Sequence, residues 1–211
     1  MSIKPIGSLM MSALVGPSVE GDTTDGVILD ATLRCLGRHG LERMTVGDVA
    51  TEAGVGRATV FRRFETKDEL VRRAFAWELA RLAERFHAAT DSIEDPLERT
   101  IEWIVQSVHV VRTHPVARRF VEDDAALPTL RDPQVTQILL ASVGHYLDIT
   151  VRPAENDFDT DTVAEMIVRF FCSVWMTPDL GTATADDAGV RRIARAMLSF
   201  LSVPQTPADD N

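Results

Sequence analysis

Apolar residues recur at three- and four-residue steps along almost the whole chain, and no stretch shows the two-residue alternation of a strand closed by hairpin turn residues. That pattern predicts an all-α protein. Val27, Ile28, Ala31 and Cys35, with Leu29, Leu33 and Leu36, mark a first helix over about 26–38 that Gly40 ends. A short second helix over about 46–53 opens on Thr45 and Asp48, a Thr-x-x-Asp pair whose hydroxyl caps free amides while the acid suits the positive helix end. A third begins near Gly56 or Arg57 and stops before Glu65, where Thr66-Lys67-Asp68-Glu69 forms another capping box. From there Leu70, Val71, Ala74, Phe75, Trp77, Leu82 and Phe86 carry one long helix to about 89. At ~1.5 Å per residue it spans on the order of 35 Å, enough to join two lobes.

Downstream, Pro96 stands at a first turn before Leu97, Ile101, Ile104, Val105, Val108 and Val111, and Pro115 interrupts that run after His114. A shorter helix over about 116–124 and a break at Leu127–Pro133 precede another helix through Val135, Ile138, Leu139, Val143, Tyr146 and Leu147 to about 151. Residues 152–160 read as polar linker. Two further helices, about 161–176 and about 186–202, finish the chain, the last with Thr184 and Asp187 as its start signal. The count is about nine helices. It divides into an arm over 1–24 read as disordered, a three-helix unit over 25–72, a helical ligand-binding and dimerisation domain over 73–203 and a frayed tail over 204–211.

The segment with the most restrictive spacing is Thr45 to Lys67. Two short helices can cross steeply only where side chains are small, which Ala50 supplies, while Gly54 fits a turn that needs positive φ. Val55 and Val60 close the wedge, with Val49 and Ala53 beside them. This reads as a helix-turn-helix, the unit that lays a short helix in the DNA major groove.

Composition first argues against that reading and then supports it. The net charge is −10 over 211 residues, whereas phosphate neutralisation supplies most non-specific DNA affinity. However, residues 26–75 carry nine Arg or Lys against seven acids, and residues 76–211 carry twelve against twenty-two. The acidity belongs to the downstream body, and the local basic cluster faces DNA. Cys35 and Cys172 are far apart in sequence and fit a reducing cytoplasm better than a disulfide framework. Pro5, Gly7 and Gly16 break up the apolar patch Leu9–Val15, which argues against a secretory leader, and no run reaches the roughly 20 residues a membrane span needs.

A helix, then a helix-turn-helix ending in Thr59-Val-Phe-Arg-Arg-Phe64, then a capped long helix starting Lys67-Asp-Glu-Leu70 resembles the tetracycline-repressor (TetR) family. The likeness covers about a quarter of the chain, residues 26–75, with His114-Pro115 as a weaker echo further on. It implies a homodimeric, ligand-responsive transcriptional repressor that binds a palindromic DNA operator and is released by a small apolar effector. It also implies dimerisation through the last two long helices. Carried over position by position, it implies that Thr45 and Lys67 touch phosphate and that Arg57, Ala58 and Thr59 face base edges or adjacent backbone. Arg62 and Arg63 would reach bases or phosphate. Phe61 stands where the family normally has tyrosine, which removes a hydroxyl-to-phosphate bond, and Arg63 replaces a common histidine.

For an apolar effector pocket the candidates are Trp103, Val108, His109, Tyr146, Met166, Phe170 and Trp175. For the dimer seam they are Phe171, Val174, Ala194, Met197 and Leu201, because the last two helices have more apolar width than a one-sided helix needs. His109 and His114 are five apart, on different helix faces, so no metal pattern results. Nothing in the sequence supplies a nucleophile elbow, a phosphate loop or a convergent carboxylate pair, and no enzyme and no cofactor is expected. The other reading left open is a helical small-molecule binding or sequestering protein with weakened DNA binding.

Overall fold

The computed structural model describes residues 22–151, 159–178, 180–181 and 184–199. Residues 1–21 of the expected arm, the expected tail, most of the expected linker, and Leu201 lie outside the described residues, while 22–24, the end of the expected arm, open the first helix. All regular structure among those described is helical: α1 Thr23–Arg43, α2 Val46–Ala53, α3 Arg57–Arg63, α4 Lys67–Thr90, α5 Pro96–Thr113, α6 Pro115–Glu122, α7 Ala126–Leu130, α8 Pro133–Thr150, α9 Thr160–Met176 and α10 Asp187–Met197. The expected break at 127–133 is mostly the short α7, which adds a tenth helix to the nine read from the pattern. No helix among the described residues is long and apolar enough to cross a membrane.

Polar side chains set most helix starts. Asp22 caps α1 by accepting from the Thr24 and Asp25 amides, both at 2.9 Å, three residues earlier than the apolar periodicity suggested. Thr45 and Asp48 cap α2 reciprocally, as expected. At α4 the Thr66 hydroxyl accepts from the Glu69 amide at 3.0 Å, but the Glu69 carboxylate turns to Arg72, so only half of the expected box forms. His114 caps α6 through its ring, accepting from the Val116 amide, with Pro115 in the first turn. The cap of α10 is Asp186, which accepts from the Gly189 amide at 2.7 Å; Thr184 is buried two residues earlier instead. Gly40 interrupts α1 at φ 74°, and a side chain there would collide with the carboxylate of Asp123, the residue that caps the end of α6.

The chain forms two compact units. The first runs to Arg85 and takes in Val111–Thr136, so α6 and α7, read from sequence as part of the downstream domain, pack with the helix-turn-helix. Its core holds Ile28, Leu29, Leu36, Met44, Val49, Val60, Phe64, Leu70 and Val71, with Phe75 edge-on to Phe120. At Gly37 an added Cβ would lie 2.7 Å from the Pro115 ring, so only a glycine lets α1 and α6 meet this closely. The buried Glu78 on α4 ties the same unit together: Arg85 donates to it at 3.1 Å and His114 Nε2 lies 3.4 Å away. Burial pushes the Glu78 carboxyl up, but His114, Arg81 and Arg85 more than offset this and leave it below the usual range.

The second unit comprises Phe86–Val110 and the chain from Gln137. Ile101, Ile104, Val105 and Val108 of α5 pack with Val143 and Leu147 of α8, Val163, Ile167 and Val174 of α9, and Val190 and Ala194 of α10. Ion pairs register α5 against α10. Glu98 meets Arg195 at 2.6 Å, Glu102 meets Arg191 at 2.5 Å, and His109 Nδ1 lies 3.4 Å from Asp187. Because the α5 positions rise as the α10 positions fall, the two helices run antiparallel.

Candidate nucleic-acid interface

The wedge forms as its composition requires. Val49, Ala50 and Val60 are buried, and the Val55 amide donates to the Ala50 carbonyl at 3.0 Å across the turn. Gly54 takes φ 67°, ψ 28°, the left-handed conformation that costs a residue with a Cβ. With Val60 and Phe64 turned inward, α3 presents Arg57, Ala58, Phe61 and Arg62 outward, one face at steps of one, four and five. Thr59 and Arg63 lie at its edges, half-buried.

Pairing separates the basic residues of this region more sharply than their positions do. Arg34 and Arg38 both grip Glu52, at 2.7 and 3.1 Å, which clamps α1 to α2 and holds the Glu52 carboxyl below its ordinary range. Arg43 faces Asp123. Arg72 pairs with Glu69 and Arg73 with Asp25, while the Arg73 guanidinium also lies 4.8 Å over the Phe64 ring. Arg72 and Arg73 are therefore partly buried, partnered charges and not free solvated ones.

Two of the residues carried over as DNA contacts are likewise engaged within the protein. Arg63 donates to Asp25 at 2.6 Å and to both Asp22 oxygens at 2.9 Å, while its Nε is buried without a partner. Hydrogen bonds to Asp25 and Asp22 hold the guanidinium in its charged form. Lys67 Nζ donates to the Leu41 carbonyl at 2.5 Å, and burial pushes its ammonium pKa down. Thr45 is exposed and spends its hydroxyl on the Asp48 cap. Among the described residues, Arg57 and Arg62 are the two basic side chains of residues 26–75 with no carboxylate or carbonyl partner. Both lie on the outward face of α3. The Arg57 guanidinium lies 5.4 Å over the Phe61 ring.

The effector candidates fall into different surroundings. Trp103 and Tyr146 stack, with ring centroids 4.8 Å apart and planes 18° from parallel, and the Tyr146 hydroxyl donates to the Arg99 carbonyl at 3.4 Å. Burial pushes the Tyr146 phenol up. Val108 and Trp175 are buried, Phe170 packs partly on the core, Met166 is exposed, and His109 sits half-exposed beside Asp187. At the expected seam, Val174 and Ala194 are core residues with almost no surface to offer a second copy; Phe171 and Met197 keep some. Sequence reading missed Asp22, Asp25 and Glu52 as organisers of the basic cluster. The Asp22-x-x-Asp25 spacing ahead of the first apolar run was the available signal.

Three comparisons bear on this site. The profile described as bacterial regulatory proteins, tetR family, matches residues 28–74, from the core of α1 into the first turns of α4. An HTH-type transcriptional regulator of Mycobacterium tuberculosis is 40% identical over 81 residues, 38% of this chain and 39% of the relative, so the chain spans about two fifths of that protein's length. The HTH-type transcriptional repressor KstR2 of the same organism is 27% identical over 100 residues, 47% of this chain and 50% of the relative. Beyond these sequence matches, the fold is similar to the transcriptional regulator FadR of Bacillus subtilis, solved in complex with stearoyl-CoA. That likeness has a TM-score of 0.58 at 18% identity and covers 86% of this chain and 99% of that one.

Proposed function

We propose that the chain is a ligand-responsive transcriptional repressor that binds a palindromic DNA operator as a homodimer, a reading supported by the match of residues 28–74 to the profile of bacterial regulatory proteins, tetR family. The observation that carries this reading is the pair of uncompensated arginines, Arg57 and Arg62, on the outward face of the helix the wedge presents. In a two-fold dimer, paired α3 helices enter successive major grooves roughly 34–36 Å apart. The reading assigns DNA contact to Arg57, Ala58, Thr59, Phe61 and Arg62. Thr45, Arg63 and Lys67 reach phosphate only by giving up or sharing their present partners. No catalysis is assigned.

In this proposal, residues 25–72 bind DNA and the downstream helices bind effector and dimerise, in the cytoplasm. The second copy docks on the exposed side of α9 and α10, with Met166, Phe171 and Met197 contributing apolar surface. The stacked Trp103–Tyr146 pair, with Phe170 beside the core, supports an apolar effector. So does the fatty acyl thioester bound by the FadR neighbour. Effector and operator then oppose each other with a coupling of ~1–3 kcal/mol.

The test is a fluorescence anisotropy titration of the full chain against duplexes from its own upstream intergenic DNA, repeated over a salt series. Specific binding with a steep negative salt slope is expected, as is release by an apolar acyl thioester or sterol from a thermal-shift screen. Equal, salt-insensitive affinity for operator candidates and scrambled duplex would end the DNA-binding reading.

A further inference from the structure

Phe61 poses a chemical question that the arginines beside it do not. It is 42% exposed on the outward face of α3, and unlike a tyrosine it offers no hydroxyl to a phosphate or base. An aromatic ring exposed there gains free energy in a groove only against apolar surface, and the major groove supplies one apolar group, the C5-methyl of thymine. Arg57, one helical turn earlier, lies over the ring at 5.4 Å and has no carboxylate partner among the described residues. Stacking uses the π face of a guanidinium and leaves its in-plane N–H groups free. Those in-plane donors match the O6 and N7 acceptors of guanine in a bidentate pair. The contact with the ring thus occupies none of the donors that read a base.

Resting on the DNA-binding reading above, we propose that Arg57 and Phe61 form one preassembled reading unit for a guanine with a thymine at a neighbouring position of each operator half-site. Arg57 takes the guanine edge and Phe61 covers the thymine methyl. The i,i+4 spacing on one helix turn keeps the two reading positions adjacent in the groove. Specificity at this place in the site then comes from two neighbouring side chains acting together. A phosphate contact from a tyrosine hydroxyl, by contrast, would orient the helix without reading sequence.

The experiment uses the full wild-type chain and modified DNA, so it does not depend on a variant folding. A randomised duplex pool is taken through rounds of selection, and the enriched duplex is remade with each half-site thymine replaced in turn by deoxyuridine and each guanine by 7-deazaguanine. One thymine position is expected to lose about fourfold in affinity per half-site when its methyl is removed. A neighbouring guanine is expected to lose about fivefold or more when N7 is removed. In Phe61→Ala, an exposed position, the thymine and deoxyuridine duplexes should bind equally, while the same variant keeps its dependence on salt. An enriched site bound equally well with and without the methyl and N7, or an enriched site lacking a neighbouring guanine and thymine, overturns the pair while DNA binding stands. A pool that yields no enriched sequence overturns the DNA-binding reading and this inference with it.

Discussion

Helices α3 and α10 each carry three arginines, Arg57, Arg62 and Arg63 in one and Arg191, Arg192 and Arg195 in the other, yet their charges do opposite work. On α10, Arg191 and Arg195 lie against Glu102 and Glu98 of α5, so two of the three charges cement the second unit. On α3 one arginine, Arg63, is latched to Asp22 and Asp25, and the other two face outward without a carboxylate. Counting basic residues would rank the two helices equally. What separates them is whether an acid lies one helix away, because a paired guanidinium has already lost much of its attraction for an incoming polyanion. A chain with a net charge of −10 can therefore present a cationic face, provided that face is where the pairing stops.

The largest expected effect tests that division of labour directly. On the proposal of a dimer that binds an operator, Arg62→Ala should lower operator affinity by at least about 30-fold, since ~1–3 kcal/mol is lost at each of two heads. The melting temperature should stay within about a degree, because Arg62 is exposed and has no carboxylate or carbonyl partner among the described residues. Arg191→Ala should do the reverse: it strands the largely buried Glu102 carboxylate, costing about 2 kcal/mol and lowering the melting temperature by about 4–8 °C, with operator affinity at low temperature unchanged. Anisotropy and calorimetry on both variants decide it. If Arg62→Ala keeps its affinity, or Arg191→Ala loses it without melting earlier, the contrast between the helices is wrong.

This contrast was only half legible in the sequence. The wedge was, because Ala50, Gly54 and Val60 leave few other ways to pack two short helices, and their burial and the left-handed Gly54 follow from residue size alone. The identity of the free cations was not. Arg57, Arg62, Arg63 and Lys67 look alike in a motif, and what distinguishes them is Asp22 and Asp25, some forty residues away from Arg63, and a carbonyl at Leu41 facing Lys67. Side chains so distant in sequence meet only once α1, α3 and α4 have packed. The same limit applied downstream. Amphipathic periodicity located α9 and α10, but it could not tell Val174 and Ala194, which are core, from residues left for a partner, because both kinds sit on the apolar stripe.

A smaller effect sharpens the claim that the wedge, and not charge alone, presents α3. Gly54 and Gly56 flank the same turn, and neither has a clash awaiting a methyl group, but Gly54 is at φ 67° and Gly56 at φ −70°. Gly54→Ala should cost about 1–2 kcal/mol through backbone strain. It should also weaken operator binding severalfold as α3 loses its angle to α2. Gly56→Ala should be nearly neutral for stability, because alanine's poorer N-cap preference is offset by the smaller unfolded-state entropy it gives up at a φ it can adopt. Equal melting temperatures for the two variants would mean that the turn does not hold its left-handed conformation in solution.

The smallest effect concerns the latch on Arg63, which, on the DNA-binding proposal, sets how many cations α3 brings to DNA. The Asp22 carboxyl is held below its ordinary 3.8 by the Asp25 amide and by Arg63, so it is fully ionised at neutral pH. Its contribution is present above that ordinary value and lost only as pH falls through the lowered one, and between pH 6 and 8 the latch should not respond to pH. Asp22→Asn removes the charge at pH 7 while its amide oxygen still caps α1. With Arg57 and Arg62 alone engaged in each head, the logarithmic salt slope should be near −4, from about −0.9 per cation over four cations. Because Asp25 still holds Arg63 at 2.6 Å, loosening it in both heads should steepen the slope by less than about 2. A wild-type slope already near −7 would mean that DNA pulls Arg63 and Lys67 away from their internal partners. The latch would then be a resting arrangement that binding itself undoes, and the variant's slope should match the wild type.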